Sequence, residues 1–426
     1  MTDLGITENS KFKFYKLKFS NLLNDAGTYT VVRWQTDESI SANKEAVVVI
    51  KSLMSGNSIE ETADYTGLGK SNVMYIVKLC IDVGFVSEID GKPIPDKYEK
   101  IKPWLINVDR KWFMWSISKP LLLLMYIYIF SGFILGISNR RFIPDYNDLF
   151  WTDDLLLMLV SFSVIGLIGF ILHEGAHFIV TKAVGGEARI RLDARFLDLV
   201  VETIHYHMSV IPKGKKYLVY LAGIFVDSIS ISSIFWIYFL ASKYNWDIGI
   251  FIKILPVVLI MQIMGVVWEF TVFLETDLYN FLSDYLNQDN LYYDTKKYLY
   301  MRIEKVDSIV FKKFKRFLQR FFFTEKSLSL ANNFRFLTQS QKKIYKAYSI
   351  YWLIGVFMVM VQVVTIGVPF YLKFVFELIQ YVIDTFYSRD IVEILRATAI
   401  VILFSYSDVL LLRVLVNKIK RHESIV

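Results

Sequence analysis

Long uninterrupted apolar runs are the feature that most constrains this chain. Five runs have 20 or more residues each and a sixth is more polar; they lie near residues 119–138, 155–180, 217–241, 249–274, 349–374 and 393–416. At about 1.5 Å rise per residue, 20 helical residues cross about 30 Å of hydrocarbon. With 54% apolar and only 21% charged residues, the chain is neither an ordinary soluble globular protein nor a disordered one. We predict an α-helical polytopic membrane protein with about six transmembrane helices.

The charges of the chain predict its orientation. Positive residues are retained on the cytoplasmic side of a membrane, and the segments 182–216 and 275–346 and the end of the chain are basic. If all six runs span, these segments and both termini are cytoplasmic. The sixth run contains Arg396, Asp408 and Arg413, which need partners in a helix bundle or a place near the interface. The alternative is therefore a five-span chain with the carboxyl terminus outside and the sixth segment on the membrane surface.

The basic segment after the fourth run contains an amphipathic pattern. Residues 309–323 place phenylalanine, valine and leucine side chains on one helical face and lysine and arginine elsewhere. We expect this stretch to lie flat on anionic lipid. The alternative is a soluble amphipathic helix that packs on another domain.

The amino-terminal part has the pattern of a small α+β domain. Residues 1–112 contain no run long enough to cross a membrane. The segment 28–34 alternates as a strand does, three short helical patterns follow it, and Asp90-Gly91 predicts the turn of a hairpin. Ser58 followed by Glu61 is a capping-box pattern at the start of the second helix. Three helices closed by a hairpin predict a winged-helix domain on the cytoplasmic side.

The second apolar run carries the residues that predict chemistry. His173, Glu174 and His177 form the pattern H-E-x-x-H near the end of this run. Positions i and i+4 share a helical face, so both imidazoles can reach one Zn²⁺ ion, and Glu174 is placed to act as a general base. A chance match in a chain with five histidines has an expectation of about 0.002. Because polar groups in an apolar run are costly without a partner, we predict a zinc site rather than a polar cluster that closes a helix end.

A third metal ligand must come from elsewhere in the chain, because a catalytic zinc ion usually has three protein ligands and one open position. The candidates near the end of the fourth run and in the loop after the motif are Glu269, Glu275, Asp277, Glu202, His205 and His207. Asp227, inside the third run, is a further ionisable group. The sequence leaves open whether Asp227 is functional or a buried hydrogen-bonding partner of Ser228, Ser230 or a threonine on another helix.

Residues 155–291 resemble a known family. The helix with His173-Glu174-Gly175-Ala176-His177 resembles that of the site-2 group of intramembrane zinc metalloproteases. The further segments resemble the branch of peptide zinc metalloproteases that occurs with ribosomally made, modified peptides; they are Gly185-Gly186, Leu221-Ala222-Gly223, Thr276–Tyr279, Leu282–Asp284 and Asn290-Leu291. The resemblance implies that Asp277 is the third ligand, with Glu269, His205 and His207 as alternatives.

The amino-terminal domain has a resemblance of its own. Residues 28–95 resemble the winged-helix domains that hold leader peptides in peptide-modifying enzymes. The resemblance implies that a leader segment adds as a strand to a sheet edge, against a helix. A DNA-binding winged helix is the rival, but 15 Lys+Arg balance 15 Asp+Glu in residues 1–112, and we therefore expect no nucleic-acid partner. An interaction domain without a peptide ligand is the third interpretation.

These patterns together predict an integral-membrane zinc metalloprotease that hydrolyses a peptide bond of a small ribosomally made precursor or of a membrane-spanning substrate. One alternative is a noncatalytic peptide transporter or self-protection protein. Another is a site-2 protease that releases a membrane-bound transcription regulator. The predicted division of the chain has four parts. Residues 1–112 form a peptide-recognition domain, and residues 113–291 form a transmembrane metalloprotease core. Residues 292–346 form a basic amphipathic cytoplasmic segment, and residues 347–426 form a carboxyl-terminal pair of membrane helices with a tail.

Overall fold

The structure is a computed structural model, and it describes residues 6–21, 28–96, 98, 100, 108–195, 198–246, 249–288, 290–304, 338–388 and 390–406. The described residues are mostly helical. They belong to two compact units: the first comprises Met1–Ser118, Phe178–Arg191 and Thr203–Val219, and the second Lys119–His177, Leu192–Glu202 and Tyr220–Val426. The predicted amphipathic stretch 309–323 and the part of the sixth run beyond residue 406 lie outside the described residues.

The first unit contains two three-stranded antiparallel sheets. Their strands are β1 (Phe12–Phe14), β2 (Leu17–Asn21), β3 (Thr28–Arg33), β4 (Ser39–Asn43), β5 (Val86–Ile89) and β6 (Lys92–Pro93). One sheet has the order β1-β5-β6 and the other β2-β3-β4, so β4 is an edge strand among the described strands. The predicted strand and hairpin are both present. Asp90 and Gly91 have φ values of 50° and 77°, the left-handed backbone that a tight two-residue hairpin turn requires.

Three helices separate the strands of this unit. They are α1 (Lys44–Met54), α2 (Ile59–Thr66) and α3 (Lys70–Asp82). The predicted capping box starts α2: the Ser58 hydroxyl accepts from the Glu61 N–H, and the Glu61 carboxylate accepts from the Ser58 N–H. The helices and sheets enclose one apolar core, whose most deeply buried members include Val31, Val49, Ile50, Leu53, Ile59, Val73, Val77 and Phe85.

Within the described residues, five helices are long and apolar enough to cross a membrane, as a multi-pass membrane protein requires. The remaining helices, in chain order with these five, are α4 (Lys119–Ser138), α5 (Leu155–Val184), α6 (Lys213–Tyr220), α7 (Ala222–Tyr244), α8 (Phe251–Glu269), α9 (Asp277–Tyr285), α10 (Leu291–Glu304), α11 (Gln339–Gln362) and α12 (Val368–Ser388). The five apolar helices are α4, α5, α7, α8 and a continuous stretch that contains α11 and most of α12. Residues 391–406 are also helical.

Three of the observed helices differ from the predicted spans by five or more residues at one end or both. The third span begins at Ala222 rather than 217, because the chain breaks at Leu221 after the basic helix α6. The fourth ends at Glu269 rather than 274, because hydrogen bonds from Thr276 and Asp277 to Glu269 turn the chain there. The fifth is much longer: Gln339–Tyr387 is continuous through a π turn at Val363–Gly367, and its 49 residues reach roughly 74 Å, more than twice the hydrocarbon thickness.

Close packing of α4 on α7 fixes the position of α7. A Cβ atom added at Gly132 would lie 2.4 Å from the Cβ atom of Ser232, and one at Gly136 would lie 2.6 Å from the ring of Phe235. The Ser232 hydroxyl also donates to the Ile129 carbonyl oxygen at 3.1 Å. Small residues permit such contact between membrane helices, and here they hold the helix that carries part of the site.

A two-stranded hairpin follows α5, formed by β7 (Glu187–Arg195) and β8 (Asp198–Tyr206). These strands were not predicted, because the stretch was interpreted as part of a basic loop. The signal was present, because Ile190 and Leu192 alternate with Arg189 and Arg191 with the period of a strand. In this segment the alternation of apolar and charged residues was a better indicator of secondary structure than the net charge.

Cys80, the single cysteine of the chain, provides a test of the first unit. It is buried on α3, and burial raises the pKa of its thiol to about 12. The thiolate is the reactive form of cysteine. We therefore expect iodoacetamide at pH 8 to modify the folded, detergent-solubilised protein roughly 100-fold more slowly than the urea-unfolded protein. Mass spectrometry of the labelled chain measures both rates. Rapid labelling of the folded protein would contradict the buried position, and Cys80→Ser gives the background.

Candidate metal centre

The two histidines of the motif face the same side of α5. This helix is continuous from Leu155 to Val184, which places His173 and His177 one turn apart. Their Nε2 atoms are 3.3 Å apart, and the His177 side chain is almost completely buried. Glu174 is also buried and interacts electrostatically with His177. The helical spacing therefore brings the two imidazole nitrogens together, and Glu174 occupies the helical position next to His173.

Asp277 reaches this level because α8 ends early. After Glu269 the chain forms a 3-10 turn at Val272–Leu274, Glu275 adopts a left-handed φ of 56°, and α9 begins at Asp277. Glu269 holds the turn at two points. Its carbonyl oxygen accepts from the Thr276 hydroxyl at 2.7 Å, and its carboxylate accepts from the Asp277 N–H at 3.0 Å. A carboxylate at the first N–H of a helix is also favoured by the helix dipole.

The ligand atoms of His173, His177 and Asp277 form a small triangle. Asp277 Oδ2 lies 2.7 Å from His177 Nε2 and 3.4 Å from His173 Nε2, and the two nitrogens are 3.3 Å apart. Ligand atoms at about 2.0–2.1 Å from one tetrahedral zinc ion are separated by about 3.3 Å, so two edges of the triangle match this spacing and the third is shorter. Two imidazoles and one carboxylate are also a donor set of catalytic zinc sites. The residues present therefore fit a zinc ion.

The pKa of the Asp277 carboxyl group is lowered in this site. Burial alone would raise this pKa, but His177 and His173, through charge and hydrogen bonds, hold it well below its usual range. Glu269 is the nearest alternative ligand. Its Oε1 atom is 3.9 Å from His173 Nε2, farther than Asp277 Oδ2, while its other oxygen is engaged at the start of α9.

Gly223 supplies the space for the site. A Cβ atom at this position would lie 2.2 Å from His173 Nε2 and 2.5 Å from His177 Nε2. Helix α7 therefore passes the ligand nitrogens with bare backbone, and any side chain at position 223 would displace both imidazoles. Gly223 was identified from the sequence only as part of the family resemblance, and its position beside the histidines was not predicted. The need for glycine comes from a neighbouring helix, which the local sequence does not encode.

Asp227, one turn after Gly223, contacts His173 on α5. Its Oδ2 atom lies 2.7 Å from His173 Nδ1, and its side chain is buried. The serine partners considered from the sequence are engaged elsewhere, since the Ser228 and Ser230 hydroxyls donate to carbonyl oxygens of α7 itself. The structure thus places Asp227 at the nitrogen of His173 that faces away from the ligand triangle.

The other histidines considered as ligands make different contacts. His205 Nδ1 is 2.9 Å from the Thr181 hydroxyl. His207 is buried, stacks on Trp34 at 3.8 Å between ring centroids, and places Nδ1 3.0 Å from Asp37 Oδ1. Within the part of the chain that the structure describes, the group of ligand atoms close enough for one ion contains neither histidine, nor Glu202 or Glu275. That His173, His177 and Asp277 bind a metal stays a prediction.

Three ligand atoms, a buried glutamate beside them and a carboxylate behind one imidazole give this site the elements of metal-assisted hydrolysis. The chain matches no protein-family model, and neither the curated proteins nor the solved structures contain a match to it.

Substitution of Gly223 tests the geometry. In Gly223→Ala the added methyl group would occupy the space of the ligand nitrogens, and we expect zinc affinity to fall by more than about 100-fold. Competition with a chelator of known affinity measures this loss in the detergent-solubilised protein. Gly265→Ala on α8 is the matched control, because nothing lies within 4 Å of the added atom.

Both substitutions replace glycine by alanine inside an apolar helix, where alanine is favoured by roughly 1 kcal/mol. A loss confined to Gly223→Ala therefore comes from the site and not from the helix. Unchanged zinc affinity in this variant would show that no ion lies between the two imidazoles.

Proposed function

We propose that this protein is an intramembrane zinc metalloprotease of the site-2 type. Its substrate is a small ribosomally made peptide precursor or a membrane-spanning segment. The observation that carries the proposal is the triangle of His173, His177 and Asp277 ligand atoms, with buried Glu174 at the adjacent helical position. Three ligands leave a tetrahedral ion one open position, which distinguishes a catalytic from a structural site.

The residues of the site divide the reaction between them. A zinc ion, when bound, polarises the scissile carbonyl group and lowers the pKa of a water molecule to about 7. Glu174 takes the proton of the attacking water and returns it to the leaving amine. His173, His177 and Asp277 fix the geometry in which this happens, and the bare backbone at Gly223 leaves the site its room.

The position of the site along α5 supports cleavage near a membrane face. His173 is the nineteenth residue of this helix, roughly 27 Å from its start, and the 18 residues before it are uncharged. The carboxylates of Glu269 and Asp277 lie at and beyond the end of another span. Hydrolysis needs water, which is available at such a depth. The basic segments of the chain favour the cytoplasmic face and cytoplasmic termini.

The first unit supports the proposal of a leader-binding winged-helix domain. A groove of about 340 Å³ lies between β4, α1 and α3, lined by apolar side chains that include Ile40, Ala42, Ile50, Leu68, Ile76 and Leu79. Since β4 pairs with β3 but with no second strand among those described, its outer edge presents backbone groups beside this groove. An extended peptide could hydrogen-bond to the edge and place alternate side chains in the groove. We propose that a leader segment of the substrate binds here.

The role of Glu174 separates protease from transporter. We expect Glu174→Gln to keep one zinc ion per chain but to lose about 100-fold or more of the cleavage rate, because the general base is removed while the ligands remain. Asp277→Ala should lose the zinc itself. Elemental analysis gives the metal content, and mass spectrometry of a mixture of synthetic hydrophobic peptides incubated with proteoliposomes gives the cleavage rate.

Glu377→Gln on α12 is the control for the same chemical change at a partly exposed carboxylate. Zinc-loaded wild-type protein that cleaves no faster than Glu174→Gln would contradict the protease and favour a peptide transporter.

The groove can be tested with Leu79. Leu79→Glu places a charge in the groove, and we expect it to weaken peptide binding by about tenfold or more, the cost of losing one buried leucine contact. The probe is a set of peptides selected from a random 12-residue phage library on the protein in nanodiscs. Met54→Glu is the matched control, since Met54 and Leu79 are both 39% exposed and Met54 lies outside the groove. Equal binding to both variants would place the peptide site elsewhere.

A further inference from the structure

We infer that Asp227 is a positioning residue of the site: it fixes the tautomer and orientation of His173 and adds negative charge behind this imidazole. The inference rests on the proposed zinc site and adds a function for a carboxylate outside the ligand set. Three observations carry it: a short contact, burial in a membrane helix, and the charge of the site.

The contact fixes which nitrogen of His173 holds the proton. Asp227 Oδ2 lies 2.7 Å from His173 Nδ1, within the range of a charge-assisted hydrogen bond. An ionised carboxylate can only accept, so Nδ1 carries the hydrogen and donates it to Asp227. The lone pair of the neutral ring is then on Nε2, the atom that faces His177 and Asp277.

The burial of Asp227 shows that its charge needs a partner. Only two charged residues occur in α7, Asp227 and Lys243, and Lys243 lies at the last turn of the helix. An ionised carboxylate in an apolar helix is costly unless it is paired or hydrogen-bonded. In the structure the ion pair that Asp227 makes is with His173, so its compensation comes through the imidazole that faces the ligand triangle.

The charge of Asp227 adds to that of the predicted ligands. A divalent ion with two neutral imidazoles and one carboxylate retains a net charge of +1, which is unfavourable in a medium of low dielectric constant. Asp227 contributes to offsetting it, together with the buried carboxylates of Glu174 and Glu269. The hydrogen bond from His173 to Asp227 also makes the ring a better electron donor to a metal.

Gly223 and Asp227 are four residues apart and therefore lie on one face of α7. The first leaves space at the Nε2 atoms of His173 and His177, and the second anchors the opposite edge of the His173 ring. The same helical face thus sets both how closely α7 approaches and how the first ligand is oriented.

The test compares metal binding by Asp227→Asn, Asp227→Glu and the neighbouring control Ser228→Ala. Asparagine has nearly the shape of aspartate but no charge, and we expect a 10–100-fold loss of zinc affinity, in the usual range for carboxylates behind metal-bound histidines. Chelator competition measures the affinity. The visible absorption of the Co²⁺-substituted protein should also shift, because the ring orientation and donor strength of His173 change. Asp227→Glu should recover part of the affinity, and Ser228→Ala should behave as the wild type.

The outcomes separate this inference from the proposed function. Equal zinc affinity and an unchanged Co²⁺ spectrum in Asp227→Asn would overturn the positioning function while leaving the metal site intact. Wild-type protein that fails to bind one zinc ion per chain would overturn the site itself. If Asp227→Asn does not give a single species in size-exclusion chromatography, the Co²⁺ spectrum of Asp227→Glu carries the test, because the longer side chain would turn the His173 ring: an unchanged spectrum would overturn the inference, and a shifted spectrum would support it.

Discussion

The buried carboxylate of Glu269 decides where Asp277 lies, and the remaining geometry of the site depends on that placement. The apolar run continues past Glu269, so hydropathy alone favours five more residues of helix, which would move the chain roughly 7.5 Å along the axis. Instead, Glu269 accepts hydrogen bonds from Thr276 and Asp277, and the chain reverses through a left-handed residue. Glu269, a candidate metal ligand in the sequence, thus binds the first N–H of α9 in the structure, and this helix presents Asp277.

Helix α7 gives the site its second wall. Two glycines of α4 allow close contact on one side of α7, through Ser232 and Phe235. On the other side, Gly223 brings bare backbone close to the histidines of α5, and Asp227 contacts His173 with its carboxylate. Each contact involves either a missing side chain or a short polar one, so the helices approach closely and leave little tolerance for larger residues. Such packing favours a site whose ligands are held before an ion binds.

Local patterns in the sequence predicted the local features of the structure. The capping box at Ser58 and Glu61, the hairpin turn at Asp90 and the helical spacing of His173 and His177 each depend on residues within a few positions of one another. The apolar runs predicted about six spans, and five helices of membrane-spanning length are present among the described residues, because length and composition suffice for such a prediction.

Features that depend on distant residues were predicted poorly or only through resemblance. The space at Gly223 and the partner of Asp227 are set by α5, some 50 residues earlier in the chain, and no period or motif reports such contacts. The end of α8 was misplaced because a hydrogen bond overrides hydropathy there. Asp277 was selected by resemblance, while the residues alone left six candidates open. Orientation in the membrane, the winged-helix assignment and the enzymatic activity stay predictions.

The bare backbone at Gly223 has a consequence for the kinds of ion that the predicted site would accept. The glycine is not in a left-handed conformation, so its function is to set a separation between two helices. The narrow gap brings two imidazole nitrogens and one carboxylate oxygen together. Calcium binds six to eight oxygen atoms at about 2.3–2.6 Å, whereas zinc accepts four nitrogen or oxygen ligands at about 2.0–2.2 Å. Few donors, two of them nitrogen, would therefore discriminate against calcium.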